Sequence, residues 1–289
     1  MVSDRTSTTR KGALMVTYKT VRAGGFETRY LEAGDPSAQT VLLIHDGAYG
    51  TTADLCWGDV AERLAPQFHV LAPEMLGWGG TDKVIYLDRA PYPWRIDHIA
   101  AFLETVGASD VFAAGASFGG SLVLRASIDP SNPWSIRRAV SIGGAGGLYR
   151  DPEGVRAGAE YTPSIEEARR LTGLIVTDPD SLGDHVRRRY EASLAPGHWE
   201  VMNAPRLKNP ATERPGFVDP FPAALADLDI PLLFIEGSRD PLLDSGWAEK
   251  LAAQSARGTA VVVDASHEPN IDEPGLCAEL LIDFFRSDA

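Results

Sequence analysis

Cysteine is scarce: Cys56 and Cys277 are the only two in 289 residues. Two cysteines at that separation build neither a disulfide framework nor the paired ligand pattern of a zinc site, and a reducing, cytoplasmic setting is expected. Long hydrophobic runs are missing too, since no window approaches the roughly 20 apolar residues that cross a bilayer. The opening residues are polar, carry Arg5, Arg10 and Lys11, and lead into no apolar signal segment, so residues 1–13 read as a flexible lead-in. Positive charge is in short supply. With 27 basic against 40 acidic side chains the net charge is −13, which repels phosphate backbones and anionic lipid. Neither nucleic acid nor membrane is expected as a partner. Also absent are an H-E-x-x-H helix, a dinucleotide G-x-G-x-x-G after a strand and a phosphate loop, so no metal and no organic cofactor is expected. A small-molecule substrate remains, and assembly into a homo-oligomer is left open.

What is present suits a large soluble core, with 44% hydrophobic and 23% charged residues. Short β-rich runs alternate with segments of helical period, the pattern of a mostly parallel sheet with crossover helices. Strands are expected at residues 14–21, 27–33, 40–45, 68–72, 111–115, 139–142, 231–236 and 259–263. The first two flank Gly24-Gly25 as an antiparallel hairpin would. Helices are expected at 54–64, 92–106, 118–127, 243–254 and 273–286. Residues 144–227 break the rhythm, with helical pieces at 164–172 and 182–193 and many prolines and glycines. An insertion there reads as a helical cap over the sheet's carboxyl edge, leaving 14–143 and 228–289 as the core domain.

The sharpest chemical signal is Gly115-Ala116-Ser117-Phe118-Gly119, a G-x-S-x-G turn entered from an apolar strand and left as a helix. That context exposes the Ser117 hydroxyl beside the unpaired N–H groups of a helix start. A serine hydroxyl needs a base. Of six histidines, His267 lies in the loop after the last strand, where such a base belongs, whereas His45 reads as a structural residue at a strand end. The carboxylate that orients the imidazole is expected to be Asp240, just beyond strand 231–236, with Glu236 and Asp244 as nearby rivals. The chain order Ser117, Asp240, His267 is that of the nucleophile-elbow hydrolases. Oxyanion donors are expected from the amides of Phe118 and Gly47. Phe118, Trp78, Tyr49, Met75 and Trp199 are candidates for lining an apolar cavity.

Residues 15–285 resemble the α/β-hydrolase superfamily. The stretches HDGAYGTTADLCW, VLAPEMLGWGGTDK, GASFGGSL and RRRYEASLAPG are similar to the meta-cleavage-product hydrolases, which split a carbon-carbon bond in acids formed by aromatic ring fission. The resemblance implies a mostly parallel eight-stranded α/β fold, a Ser117–Asp240–His267 triad and an initial ketonisation of the substrate. It also implies a cap arginine, Arg189 before Tyr190, that grips the substrate carboxylate through paired hydrogen bonds. The chain departs from that branch where Asp46 and Tyr49 put an acid and a bulky ring beside the oxyanion loop. It departs again at Ala116, Cys56 and Glu268, where the branch carries other residues. A ring-fission acid finds fewer partners here, and an ester, a lactone or another ketone becomes an expected substrate. A cofactor-free lyase or oxygenase, or a ligand receptor that keeps the triad, would use the same fold, so the site must decide. Epoxide hydrolases and dehalogenases carry aspartate where Ser117 stands.

Overall fold

The computed structural model describes residues 16–87, 91–132, 134–204 and 219–287. The expected lead-in at 1–13, the start of the first expected strand, and residues 205–218 of the expected cap lie outside the described residues. Thr17–Ala23 (β1) and Phe26–Ala33 (β2) pair antiparallel with Ala23 opposite Phe26, and Gly24 and Gly25 turn the chain at φ of +56° and +90°. Positive φ at both turn positions matches the twist of the flanking strands, and glycine adopts it without steric penalty. The first strand runs past residue 21 because its ladder continues up to that turn.

Thr40–Ile44 (β3), His69–Pro73 (β4), Val111–Ala116 (β5), Ile136–Ile142 (β6), Leu232–Gly237 (β7) and Gly258–Val263 (β8) complete one eight-stranded sheet of order β1-β2-β4-β3-β5-β6-β7-β8. The strands from β3 onward pair parallel, while β2 is antiparallel to β4. Every residue of β3, β4 and β7 is buried, which is why these runs are mostly apolar rather than alternating.

The helices are Ala53–Leu64 (α1), Pro91–Val106 (α2), Phe118–Ile128 (α3), Pro152–Ala159 (α4), Ile165–Ile175 (α5), His185–Ser193 (α6), His198–Asn203 (α7), Trp247–Gln254 (α8), Pro269–Asp272 (α9) and Pro274–Arg286 (α10). Trp57, Val60 and Leu64 of α1 join Leu281 and Phe285 of α10 against one face of the sheet. Ile99, Phe102, Leu122, Trp247 and Leu251 bring α2, α3 and α8 onto the other. Thr52 starts α1 by accepting the Leu55 N–H, a cap worth about 1 kcal/mol. The helix expected from residue 243 begins at Trp247 instead: the Glu236 carboxylate accepts the N–H groups of Gly246 and Ala248, at 2.7 and 3.0 Å, and fixes its start there.

Among the described residues, the α-helices α4 to α7 lie between β6 and β7. Leu171, Ala168 and Val186 pack with Tyr161 against Tyr49 of the loop after β3, and Ile175 and Val176 pack against Ile271 of α9. This segment therefore leans on loops that leave the carboxyl ends of the parallel strands. Sequence order reverses between β3 and β5, the place where open α/β sheets leave a crevice. No helix among the described residues is long and apolar enough to cross a membrane.

Candidate active site

Ser117 joins β5 to α3 at φ 52° and ψ −113°, a left-handed backbone that a non-glycine residue adopts at a cost of about 1–3 kcal/mol. Neighbouring structure holds it there. Its N–H donates to the Ile142 carbonyl at the end of β6, and its carbonyl accepts from Ser121 one turn into the helix. The tightness of the turn sets the neighbours: a Cβ at Gly119 would stand 2.3 Å from the Ile44 carbonyl oxygen, and one at Gly115 would stand 2.3 Å from the Gly119 backbone. Both distances are far inside contact range, so only glycine lets α3 approach β3 and β5 this closely.

The structure brings Ser117, His267 and Asp240 into one hydrogen-bonded line. Ser117 Oγ is 2.8 Å from His267 Nε2, and His267 Nδ1 is 2.7 Å from Asp240 Oδ2. Asp240 Oδ1 accepts the Leu242 N–H at 2.7 Å, which anchors the carboxylate. With Nδ1 donating to Asp240, Nε2 faces the hydroxyl as an acceptor. The rivals lie elsewhere: Glu236 caps α8, and Asp244 is exposed. His45 accepts the Met75 N–H at Nε2 and so donates from Nδ1 to its neighbour's carbonyl, with burial holding its pKa below the ordinary value. It is a buried brace for the loop that follows.

A cavity of about 410 Å³ opens above Ser117 and His267. Gly47 and Phe118 line it side by side, so close that a Cβ on Gly47 would come within 2.8 Å of the Phe118 Cβ. Both backbone N–H groups are without a protein acceptor among the described residues. Trp78, stacked near Phe118 and tied by its indole N–H to the Ala48 carbonyl, also lines the cavity. Leu171, Leu174, Ile175, Val201 and Met202 supply apolar wall from the segment between β6 and β7.

Four expected cavity residues lie elsewhere. Trp199 is 45% exposed on α7 and does not reach the cavity; it turns outward because Val201 and His198 are the residues of that helix that pack inward. Tyr49 stacks on Tyr161 at 4.5 Å, and Met75 is enclosed in the core. Arg189 is fully buried but outside the cavity lining. Its Nη1 donates to Thr51 Oγ1 at 2.7 Å, the Thr51 hydroxyl donates to Asp46 Oδ1 at 2.6 Å, and Nη1 itself is 3.8 Å from that carboxylate oxygen. Its Nη2 is 3.4 Å from His185 Nε2; burial first and this neighbouring charge second pull the His185 pKa down to about 3. The guanidinium is thus held by the protein's own acid and loop, with Nε unpartnered among the described residues.

Two residues the sequence reading did not place in the cavity stand there. Arg95 of α2 lies over the rings of Trp78 and Phe118, 5.0 and 5.4 Å away, and burial draws its pKa down to about 10. Glu268 follows His267 directly and is fully buried in the lining of the same cavity; burial, reinforced by the charge of Asp46, pushes its carboxyl well above the usual carboxylate range. Its position next to the base was the available signal. Asp46, which does line the cavity, Cys56 and Glu268 bring three donor atoms within 4.8 Å of one another, and all three residues are buried.

Comparison with known proteins agrees with this architecture. A family model described as alpha/beta hydrolase family matches residues 41–280. A 2-hydroxymuconate semialdehyde hydrolase of Pseudomonas sp. (strain CF600) is 30% identical over 271 residues, covering 91% of each chain. The solved meta-cleavage product hydrolase from Pseudomonas fluorescens IP01 superposes with a TM-score of 0.79 at 27% identity, over 92% of this chain and 97% of that one. In fold alone, the 2-hydroxy-6-oxo-6-phenylhexa-2,4-dienoate hydrolase from Rhodococcus sp. strain RHA1 matches at a TM-score of 0.80 and 22% identity, over 95% of this chain and all of its own. An elbow between β5 and α3, a sheet of this order and a family match across most of its length together make this chain a hydrolase that belongs to the alpha/beta hydrolase family.

Proposed function

We propose that the protein is a serine hydrolase that cleaves the bond beside a carbonyl in a small substrate. The observation that carries this reading is the unbroken line from Asp240 through His267 to Ser117, ending on the cavity. Ser117 Oγ attacks the carbonyl carbon while its proton passes to His267 Nε2, and Asp240 steadies the imidazolium. The Gly47 and Phe118 amides receive the oxyanion. His267 then gives its proton to the departing group as the bond to the carbonyl breaks. Water attacks the acyl-enzyme, its proton goes to His267, and Ser117 is released with a carboxylic acid product. The described part of residues 144–227 acts as the cap, since Leu171, Leu174, Ile175, Val201 and Met202 supply the apolar wall.

Between bond types, the cavity favours an ester, lactone or ketone without an acid group next to the reacting carbonyl. Asp46 and Glu268 stand beside the relay, and Arg189 is taken up by Asp46. A second reading, carbon-carbon cleavage of a ring-fission acid with ketonisation managed by His267, is favoured by the names of the relatives. A fluorophosphonate probe is expected to label the wild type and not Ser117→Ala, and that variant should lose on the order of 10³ to 10⁶ in turnover of p-nitrophenyl acetate. Full turnover by Ser117→Ala overturns the nucleophile. Faster turnover of an acidic ring-fission dienol than of the ester moves the assignment to the second reading.

A further inference from the structure

Among the buried histidines that the relay does not use, His198 joins three elements at the edge of the active site. It opens α7 and is 1% exposed. Its Nε2 accepts the Gly50 N–H at 3.0 Å, and its Nδ1 donates to the Gly77 carbonyl at 2.7 Å. A backbone N–H can only donate, so Nε2 carries no proton and the imidazole is neutral. Burial, which holds its pKa below the ordinary value, acts in the same sense. One side chain from the segment between β6 and β7 thus ties the loop after β3 to the loop after β4.

Both loops serve the site. Gly47 precedes Gly50 in the first and Trp78 follows Gly77 in the second, and Gly47 and Trp78 both line the cavity. The same two loops are tied once more, by the Trp78 indole N–H on the Ala48 carbonyl at 3.0 Å. Two cross-ties, at Ala48 and at Gly50, fix the tilt of the first loop as well as its distance; one alone leaves the loop able to turn about that contact. The His198 ring also meets Trp78 and Tyr49 edge-on, with centroids 6.3 and 6.2 Å apart, so the bridge is packed as well as bonded. At the root of the loop His45 supplies the brace, through the Met75 N–H at 2.9 Å. Gly47 therefore lies between a fixed root and a tip whose second tie is His198.

An oxyanion donor acts in the transition state and only when it is aimed at the developing charge, so the placement of the Gly47 amide bears on kcat more than on substrate binding. Resting on the serine-hydrolase reading above, we propose that His198 is a positioning residue for the reaction: as a neutral bridge between Gly50 and Gly77 it holds the Gly47 amide in line with the oxyanion. His198 is not part of the cavity lining, and its effect reaches the reacting atoms through the loop.

Two variants separate this role from packing. His198→Phe keeps a ring against Tyr49 and Trp78 but has neither polar atom, whereas His198→Gln gives up the ring and keeps one acceptor and one donor. With p-nitrophenyl acetate, His198→Phe should lose about 10- to 100-fold in kcat, a part of the roughly 10²- to 10³-fold that a whole oxyanion donor supplies, with KM within about threefold of wild type. Its affinity for phenylboronic acid, whose tetrahedral adduct with the serine places an oxygen at the oxyanion position, should fall by a similar factor. His198→Gln should recover most of both losses. The opposite order, with His198→Phe active and His198→Gln impaired, makes the residue a packing element and overturns the proposal. So does a His198→Phe that raises KM while kcat and boronate affinity hold. If His198→Phe does not fold, His198→Met, which has no N–H donor, takes its place against His198→Gln and is read in the same way. A wild type that neither turns over the ester nor reacts with the fluorophosphonate overturns the underlying reading instead.

Discussion

Arg189→Met separates a structural cation from a substrate-binding one. In the wild type the guanidinium and the Asp46 carboxylate are 0% and 1% exposed, linked directly at 3.8 Å and through the Thr51 hydroxyl. Methionine fills similar volume and removes the charge, so Asp46 is left in a buried site with no counter-charge. Breaking a buried pair from one side costs about 3–5 kcal/mol. At roughly 2–4 °C per kcal/mol for a chain of this order of size, the melting temperature should fall by on the order of 10 °C. Adding Asp46→Asn removes the stranded charge, and the double variant should regain much of the loss, with a coupling of about 1–3 kcal/mol in the cycle. Urea unfolding followed by tryptophan fluorescence at neutral pH gives all four free energies. The folded fraction of Arg189→Met should keep the wild-type ratio of acidic to neutral ester turnover. If the variant instead unfolds within about 0.5 kcal/mol of wild type and loses only acidic substrates, the guanidinium reaches the ligand and the reasoning fails.

Two further outcomes follow from the same structure. Gly119→Ala drives a Cβ to 2.3 and 2.4 Å from the carbonyl oxygens of Ile44 and His45, both backbone atoms that cannot swing away, so soluble folded protein should be largely lost; a wild-type thermal transition in that variant would refute the spacing of α3 and β3. Glu268, whose carboxyl is raised by burial and then by Asp46, holds its proton more tightly folded than unfolded. Its contribution is therefore complete below the unfolded carboxylate pKa and declines as pH rises above it, by up to about 1.4 kcal/mol per unit for one proton. Glu268→Gln lacks this decline, so its stability relative to wild type should grow between pH 5 and pH 8. A difference that stays flat across that range, in urea midpoints, would show that Glu268 is ionised in the fold.

The parts of the molecule that are legible in the sequence are those where the backbone leaves little choice. A run such as Thr40–Ile44, apolar on both faces, has no place except the middle of a covered sheet. The two glycines around Ser117 are likewise required by a strand-to-helix turn that admits no Cβ. Short helices between β6 and β7 are harder to read: Pro152–Ala159 buries only Gly154, so it shows no apolar stripe, and its existence depends on the Asp151 cap and on the loop it packs against. The opposite error occurs at Leu242 and Leu243, which extend an apolar period toward a helix, yet Asp240 accepts both their N–H groups and Leu243 bridges to Arg150.

Side-chain destinations in the cavity follow the same division. An arginine before an aromatic residue on a cap helix looks the same in sequence whether it faces a ligand or the protein. For Arg189 the partners are Thr51 and Asp46, far away in the chain, and with them the guanidinium lies outside the cavity lining. Asp46 acts twice, because it consumes the cation and places an acceptor beside Gly47. Glu268 stands on the side of the base. Asp46 and Glu268 thus set the polarity of one wall together: Arg189 offsets the charge of Asp46, and burial, with Asp46 nearby, holds the proton on Glu268. The expected consequence is that replacing one residue, by Asp46→Gly or Glu268→Trp, leaves the acidic-to-neutral substrate ratio nearly unmoved. Replacing both should raise it by much more than the product of the single effects, as steady-state kinetics on the monomethyl ester of malonic acid and the methyl ester of butanoic acid would show.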